Sequence, residues 1–335
     1  MNAPAQKTKR LPYLDGIKTF ALLMVFALHT QRGPEVTAPC HDAVLFYAAR
    51  CCMPLFFMVN GSLMLRREMF DFSYYKKKIL GIARVLLLNG ICIGVYVFMV
   101  HQFPIAKAVK EMLKGFLSYT SYAYLWFLYS FALIYTLLLF CFDWVKKNLN
   151  RVLVALGVVC LGVMALSLLS IAQGGFFVQE RVTQRLRLWT WLFYFCLGYK
   201  VSTFDVSRWS PRLIRGCAAV LTVASTAWQY VLCFRVTGQI ESNYMYDDVA
   251  IMVWSILLFL AFRVSPRVSA WFGKFAPYSF GAFLIHGFLL DAFQLQSAVN
   301  GPAQAGVMWA GLSVVCWVLS WLLSHVPVVR EMLRY

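Results

Sequence analysis

Long apolar runs separated by short basic segments organise this chain. A bilayer core of about 30 Å takes about 20 helical residues to cross. By that measure the pattern predicts ten spanning helices, over residues 12–31, 43–65, 79–100, 123–143, 152–171, 187–203, 216–234, 248–263, 278–295 and 307–325. Segment 101–122 sets Lys107, Lys110 and Lys114 against Ile105, Val109, Met112 and Leu113. That spacing predicts an amphipathic helix lying along the outer membrane surface. Arg181, Arg185 and Arg187 crowd the loop between the fifth and sixth helices, the least secure pair. The chain has no linker, no low-complexity tract and no repeat of about 20–50 residues. The expected fold is a single all-α polytopic membrane domain over residues 1–335.

Composition agrees: 61% of residues are hydrophobic and 13% charged, with a mean hydropathy of +0.67. A soluble domain carries about a quarter charged residues. The net charge of +17 does not indicate nucleic acid, because the basic residues are spread between apolar runs and form no single patch. The first apolar stretch is long enough to span and has no small-residue cleavage site after it, so it reads as a retained helix. With the N-terminus placed inside, 22 of the 31 lysines and arginines fall in inner segments. The positive-inside rule then puts both termini in the cytoplasm. Most of the ten cysteines lie in apolar runs and read as small hydrophobes. Cys40 and Cys233 both fall near predicted outer loops, which leaves a bridge between them open. No cysteine or histidine set has metal-ligand spacing, so no metal is expected.

The first helix carries the most informative polar residues. Lys18 and His29 are eleven residues apart, almost three whole turns, so they project from one face. Asp15 shares it. Ionisable groups inside a membrane usually face a bundle interior or a cavity. Each residue also has a plainer reading. His29 can be a polar anchor bonded to a carbonyl, and Lys18 a snorkelling inner-interface lysine. Arg50, about two turns into helix two, either orients a ligand or stabilises developing negative charge, or it pairs with a structural acid such as Asp42, Asp247, Asp248 or Asp291. His286 in helix nine either lines a site with Asp291 or is a hydrogen-bonded packing residue. Trp126, Trp189 and Trp191 read as interfacial belt residues. His41, His101 and His325 lie at ends or in loops and are assigned no role.

The motifs carry a more specific signal. Asp15-Gly16 is followed by Lys18, ten intervening residues and His29. Helix two contains Pro54-Leu-Phe-Phe57-Met-Val-Asn-Gly61, preceded by Arg50. Tyr75-Lys-Lys-Lys78 leads into helix three, Leu125-Trp-Phe-Leu128 opens helix four, and Tyr278-Ser-Phe-Gly281 precedes Phe283-Leu-Ile-His286. In this order the chain resembles the family-3 membrane acyltransferases, multispanning enzymes that acylate cell-surface glycans. It is most similar to the short bacterial type that O-acetylates enterobacterial common antigen. Three positions depart from the family pattern: Asn60 replaces a serine, Tyr124 a common histidine, and Lys18 the more frequent arginine. Tyr124 bears on the acceptor site.

The resemblance implies a bacterial inner-membrane O-acyltransferase. Its donor would be acetyl-CoA on the cytoplasmic side, and its acceptor a hydroxyl of a surface glycan or lipid-linked glycan precursor. Membrane lipids are its surroundings, with no nucleic acid partner. Lys18 and His29 stand about 16 Å apart along the helix axis and suit opposite ends of one elongated donor. Lys18 would hold the coenzyme A phosphates, with Asp15, Lys76, Lys77, Lys78 and Arg84 as further candidates. His29 would meet the thioester as general base, or carry the acyl group transiently. Arg50 and His286 complete the expected catalytic set. The rival reading is a glycan or lipid-intermediate transporter. Transporters often show inverted repeats and broken helices, and the sequence has no convincing repeat.

The charge distribution makes a direct prediction. Reporter fusions at positions 70, 148, 209 and 270 should score cytoplasmic, and those at 37, 177, 240 and 300 outside. A cytoplasmic score at 177 would show that the fifth and sixth helices are miscounted.

Overall fold

The computed structural model describes residues 11–30, 43–116, 124–236, 245–293 and 302–327. The chain termini, Cys40, His41 and Asp42 lie outside these residues. Thirteen α-helices form among the described residues, with no β-strand. They are α1 (Pro12–Thr30), α2 (Ala43–Ala48), α3 (Cys52–Met64), α4 (Phe72–Met99), α5 (Ile105–Phe116), α6 (Trp126–Lys147), α7 (Leu149–Ala172), α8 (Leu188–Thr203), α9 (Pro211–Gln229), α10 (Val249–Arg263), α11 (Pro266–Gly273), α12 (Ala276–Ala292) and α13 (Pro302–Leu323).

Helix occupies each of the ten expected positions. The second is α2 and α3 joined by a 3-10 turn at Ala49–Cys51. Six of the described helical stretches are long and apolar enough to cross a membrane: α2 with α3, α4, α6, α7, α9 with its continuation, and α13. The bundle exterior exposes Phe140, Val154, Leu169, Val220, Val223 and Val307, which suits lipid and not water. The amphipathic helix expected over 101–122 forms as α5. Its Ala108 packs with Ile93 and Val97 of α4.

Boundaries shift where a helix begins before its apolar run. The α4 helix starts at Phe72 and not at 79, because the Asp71 carboxylate accepts the Tyr74 N–H at 2.8 Å and caps the first turn. The Lys76–Lys78 turn is therefore inside the helix. The α9 helix starts at Pro211, whose fixed φ suits a first turn, and widens into a π-helical turn over Tyr230–Val236. The arginine-rich stretch between α7 and α8 folds inward. Phe177, Gln179 and Arg187 are buried there, and Arg187 Nε donates to the Val182 carbonyl at 3.0 Å.

The α1 helix stands in the middle, against α3, α11, α12 and α13. Trp309 of α13 donates its indole N–H to the Leu23 carbonyl at 2.8 Å. Thr19 meets Ser279 of α12 at 3.3 Å. The chain bends by 91° between α10 and α11, so that α11 folds back on the first half of α1. At that contact a Cβ on Gly16 would stand 2.8 Å from the Ser269 carbonyl oxygen. This gives the Asp-Gly pair a packing reason.

Lipid tails are as apolar as side chains, so helices in a membrane associate through close packing at small residues. The tightest such contact joins α3 and α8. A Cβ on Gly61 would overlap the Phe195 backbone, and one on Gly198 would overlap the Met58 backbone. The C-terminal carbonyls of α8 are met by cations, as helix ends favour. Arg66 donates to Ser202 O at 3.1 Å, and Arg263 to Val201 O at 3.0 Å.

These glycines generate a stability prediction. Gly198→Ala must push α8 off α3 and should cost about 3 kcal/mol. Gly162→Ala, where nothing lies within 4 Å, should be tolerated. Thermal unfolding of the two variants in detergent distinguishes them, and equal melting temperatures would contradict the backbone contact.

Candidate functional site

Three rings from separate parts of the chain meet at one level of the bundle. The His29 ring of α1 lies 4.4 Å from the Tyr124 ring and 5.2 Å from the His286 ring of α12, centroid to centroid. Tyr124 and His286 are 4.6 Å apart. Phe26 and Phe283 each pack 5.1 Å from His286. The structure thus brings together two histidines of the expected set that lie 257 residues apart. Parallel packing of α1 and α12 makes this possible, since Thr19 meets Ser279 about two turns before Phe26 and His29 reach His286.

His286 is fully buried, and its Nδ1 is bonded to the Phe283 carbonyl. A carbonyl only accepts, so Nδ1 carries the proton and the neutral ring keeps its lone pair on Nε2. That Nε2 is buried without a hydrogen-bond partner among the described residues. A buried polar atom left so costs about 1–3 kcal/mol, and such atoms mark places where a ligand or water completes the bonding. Asn89 of α4 is a second case. It is buried, and its side-chain nitrogen has no partner among the described residues. It shares a narrow cleft with Tyr124, Phe283, Gly287 and Phe288. Sequence reading passed over Asn89, although a lone amide in the run Val85-Leu-Leu-Leu-Asn89 was a signal. It noted Tyr124 only as a departure. The ring is seated on Gly287, where any Cβ would collide with it.

A basic cluster lies three turns back along α1. Lys18 and Lys78 are half-buried, and Lys78 feels the charges of Lys18, Lys77 and Arg67. Arg67 stacks 3.7 Å over the Tyr74 ring, and Lys146 Nζ donates to the Arg67 carbonyl at 2.6 Å. Lys76, Lys77 and Arg84 are exposed. Of the anion-binding candidates on α4, Lys78 is the one turned into the cluster. Asp15 sits against Gly273 at the end of α11.

Arg50 is fully buried, 4.5 Å from the Tyr246 ring centroid and 5.6 Å from that of Phe46. Of the acids weighed as its partners, Asp42 lies outside the described residues, and Asp247, Asp248 and Asp291 each bond other groups. Asp247 accepts from Thr190 Oγ1 at 2.6 Å and from Gln179 Nε2 and Trp189 Nε1 at 3.3 Å. Asp248 caps α10 through the Ala250 N–H at 2.6 Å and accepts from Trp228 at 3.0 Å. Asp291 accepts from Tyr96 and pairs with His101, each at 2.8 Å. His101, in the loop between α4 and α5 as expected, thus belongs to a polar cluster with Tyr96 and Asp291. The tryptophans also need correction. Trp191 is not a belt residue: it is fully buried, donates to the Gln184 carbonyl at 2.6 Å and stacks 4.7 Å from Phe57. Trp189 is held by Asp247, and Trp126 tilts over Trp191 at 5.2 Å. Buried acceptors and facing rings draw these indoles inward.

The Asp247 cluster yields a second stability prediction. Its three partners all donate, so Asp247→Asn turns an N–H₂ toward donors and should cost about 1–3 kcal/mol. Unfolding in detergent measures it, and an unchanged melting temperature would show that the carboxylate is not what the cluster requires.

Residues 11–325 match a family model described as an acyltransferase domain. No curated protein and no solved structure shows a significant match. The matched region contains all three rings of the His29 cluster, the Lys18 and Lys78 cluster, and Arg50. With nearly its whole length inside that match, the chain belongs to the family-3 membrane acyltransferases.

Proposed function

We propose that this acyltransferase moves an acetyl or other short acyl group from acyl-CoA to a hydroxyl of a cell-surface glycan or its lipid-linked precursor. It works in the bacterial inner membrane with both termini in the cytoplasm. One observation carries the reading. A single face of α1 presents a basic cluster at Lys18 and, about 16 Å further along the axis, the cluster of His29, Tyr124 and His286. Cations gathered at Lys18, Lys78 and Arg67 are suited to a phosphate group. The phosphates of coenzyme A supply such a group, and its long arm spans the distance to the rings.

In this reading Lys18 and Lys78 hold the donor phosphates at the cytoplasmic end. The thioester reaches His29. His29 acts on the transferring acyl group, as base or as transient carrier. The proton-bearing Nδ1 of His286 is tied to a carbonyl, so its Nε2 accepts from the incoming ligand. Arg50 is buried among aromatic rings and orients the acceptor.

The two ends of α1 should fail differently. Lys18→Ala should mainly raise the KM for acyl-CoA, and Lys18→Arg should be largely tolerated. His29→Ala should lower kcat by about 10²–10⁴ with donor binding nearly unchanged. Donor titration of folded, purified variants reads both. Full turnover in His29→Ala, or wild-type donor binding in Lys18→Ala, would refute the donor channel along this face.

A further inference from the structure

The α4 helix repeats the measure found on α1. Lys78 and Asn89 are eleven residues apart in one continuous helix. They too share a face and stand about 16 Å apart along the axis. At the inner end Lys78 feels the charge of Lys18. At the other end Asn89 and Tyr124 line one cleft, and the Tyr124 ring lies 4.4 Å from that of His29. Each of the two helices thus presents a cation at one level and a polar side chain at the next, with the same spacing.

Packing alone does not explain Asn89. Its buried neighbours along α4, such as Val85, Leu86 and Ile93, are apolar. Asn89 is only 8% exposed, and its Nδ2 has no hydrogen-bond partner among the described residues. The other such atom near the cleft is Nε2 of His286, whose ring packs 4.6 Å from Tyr124 and 5.1 Å from Phe283 of the cleft wall. The two atoms differ in sense. With its proton on Nδ1, His286 accepts at Nε2, whereas an amide nitrogen only donates. A carbonyl oxygen only accepts, so of these two atoms it is Asn89 Nδ2 that can serve one. The cleft holds about 10 Å³ of open space, on the order of one water-sized group. That admits an oxygen atom and not an acyl chain.

We propose that Asn89 donates from Nδ2 to the carbonyl oxygen of the acyl group and stabilises the negative charge that this oxygen gains during transfer. The inference rests on the donor reading above and deepens it, because α4 then measures the donor from Lys78 as α1 does from Lys18. With His29 as base, the acceptor oxygen bonds the acyl carbon and its proton passes to His29. The carbonyl π pair moves onto the oxygen facing Asn89. That pair then re-forms the C=O bond, the C–S bond breaks with its electrons on sulfur, and His29 returns the proton to the departing thiolate. The products are the ester and the thiol of coenzyme A. A donor fixed in place before the reaction needs no rearrangement as the charge develops, which is why such groups act mainly on turnover. A buried amide without a partner weakens the resting fold, and this role supplies the missing acceptor.

The test supplies labelled acetyl-CoA to open membrane fragments from cells whose native copy is replaced by a variant, and follows label entering glycan. Asn89→Ala removes the donor without filling the cleft, and Asn89→Val removes it with less change of size. At equal amounts of folded protein both should lower kcat by about 10²-fold or more. The KM for acetyl-CoA should stay within about twofold of wild type, because the contact is made mostly in the transition state. Infrared spectra of purified protein with carbonyl-labelled acetyl-CoA give a second measure. A hydrogen bond weakens the C=O bond, so the bound carbonyl should absorb at lower frequency in wild type than in Asn89→Ala. Should alanine fail to fold, valine carries both measurements. Wild-type turnover in folded Asn89→Ala would overturn the proposal, as would a loss confined to KM or a carbonyl band that does not move. A loss in Asn89→Val alone would show that space and not the donor matters, and would count against it. If wild-type fragments label no glycan, the reading of donor and acceptor has itself failed, and this inference falls with it.

Discussion

A helix carrying an aspartate, a lysine and a histidine stays inside a membrane only when other helices enclose it. That constraint organises the bundle. The α1 helix is wrapped by α3, α11, α12 and α13, while longer and more apolar helices such as α7 and α13 form the outside. The bend of 91° that returns α11 to α1 serves the same end. It covers the first half of α1, and Gly16 lets the two backbones meet.

Enclosure also sets the character of the site. The His29 cluster is built of rings in close contact, with polar atoms on His286 and Asn89 left without partners among the described residues. Such atoms mark places where a ligand or water completes the bonding. The buried carboxylate of Asp247 is the opposite case. Three donors converge on it, and it holds the stretch before α8 to the start of α10. One polar cluster is satisfied and structural, while at the proposed reacting centre His286 and Asn89 keep atoms without partners among the described residues.

The two ends of α1 differ in kind. Around Lys18 the side chains are cations on long stems, suited to a point contact with phosphate. Around His29 the side chains are flat and fixed by their neighbours. A proposed donor whose two ends differ in the same sense fits that gradient. The helix acts as a ruler because its rise per residue is constant.

Much of this was legible in the sequence. Ten apolar runs predicted helix positions that the structure fills, because helix in lipid must satisfy its own backbone and leaves a long hydrophobic signature. The spacing of Lys18 and His29 fixed their common face, since periodicity is local. The motif order also pointed to the acyltransferase family. What only the tertiary structure decided depends on contacts between distant segments. The meeting of His29 with Tyr124 and His286 is one. Others are the inward turn of Lys78 while Lys77 and Arg84 face out, the burial of Trp191 and the pairing of His101 with Asp291. Helix starts at Phe72 and Pro211 escaped the apolar pattern because capping and proline, not hydrophobicity, set them. A one-dimensional pattern records which face a residue occupies. Which neighbour that face meets is set by how closely the backbones pack, and glycines such as Gly16, Gly61 and Gly198 control that only once the helices are brought together.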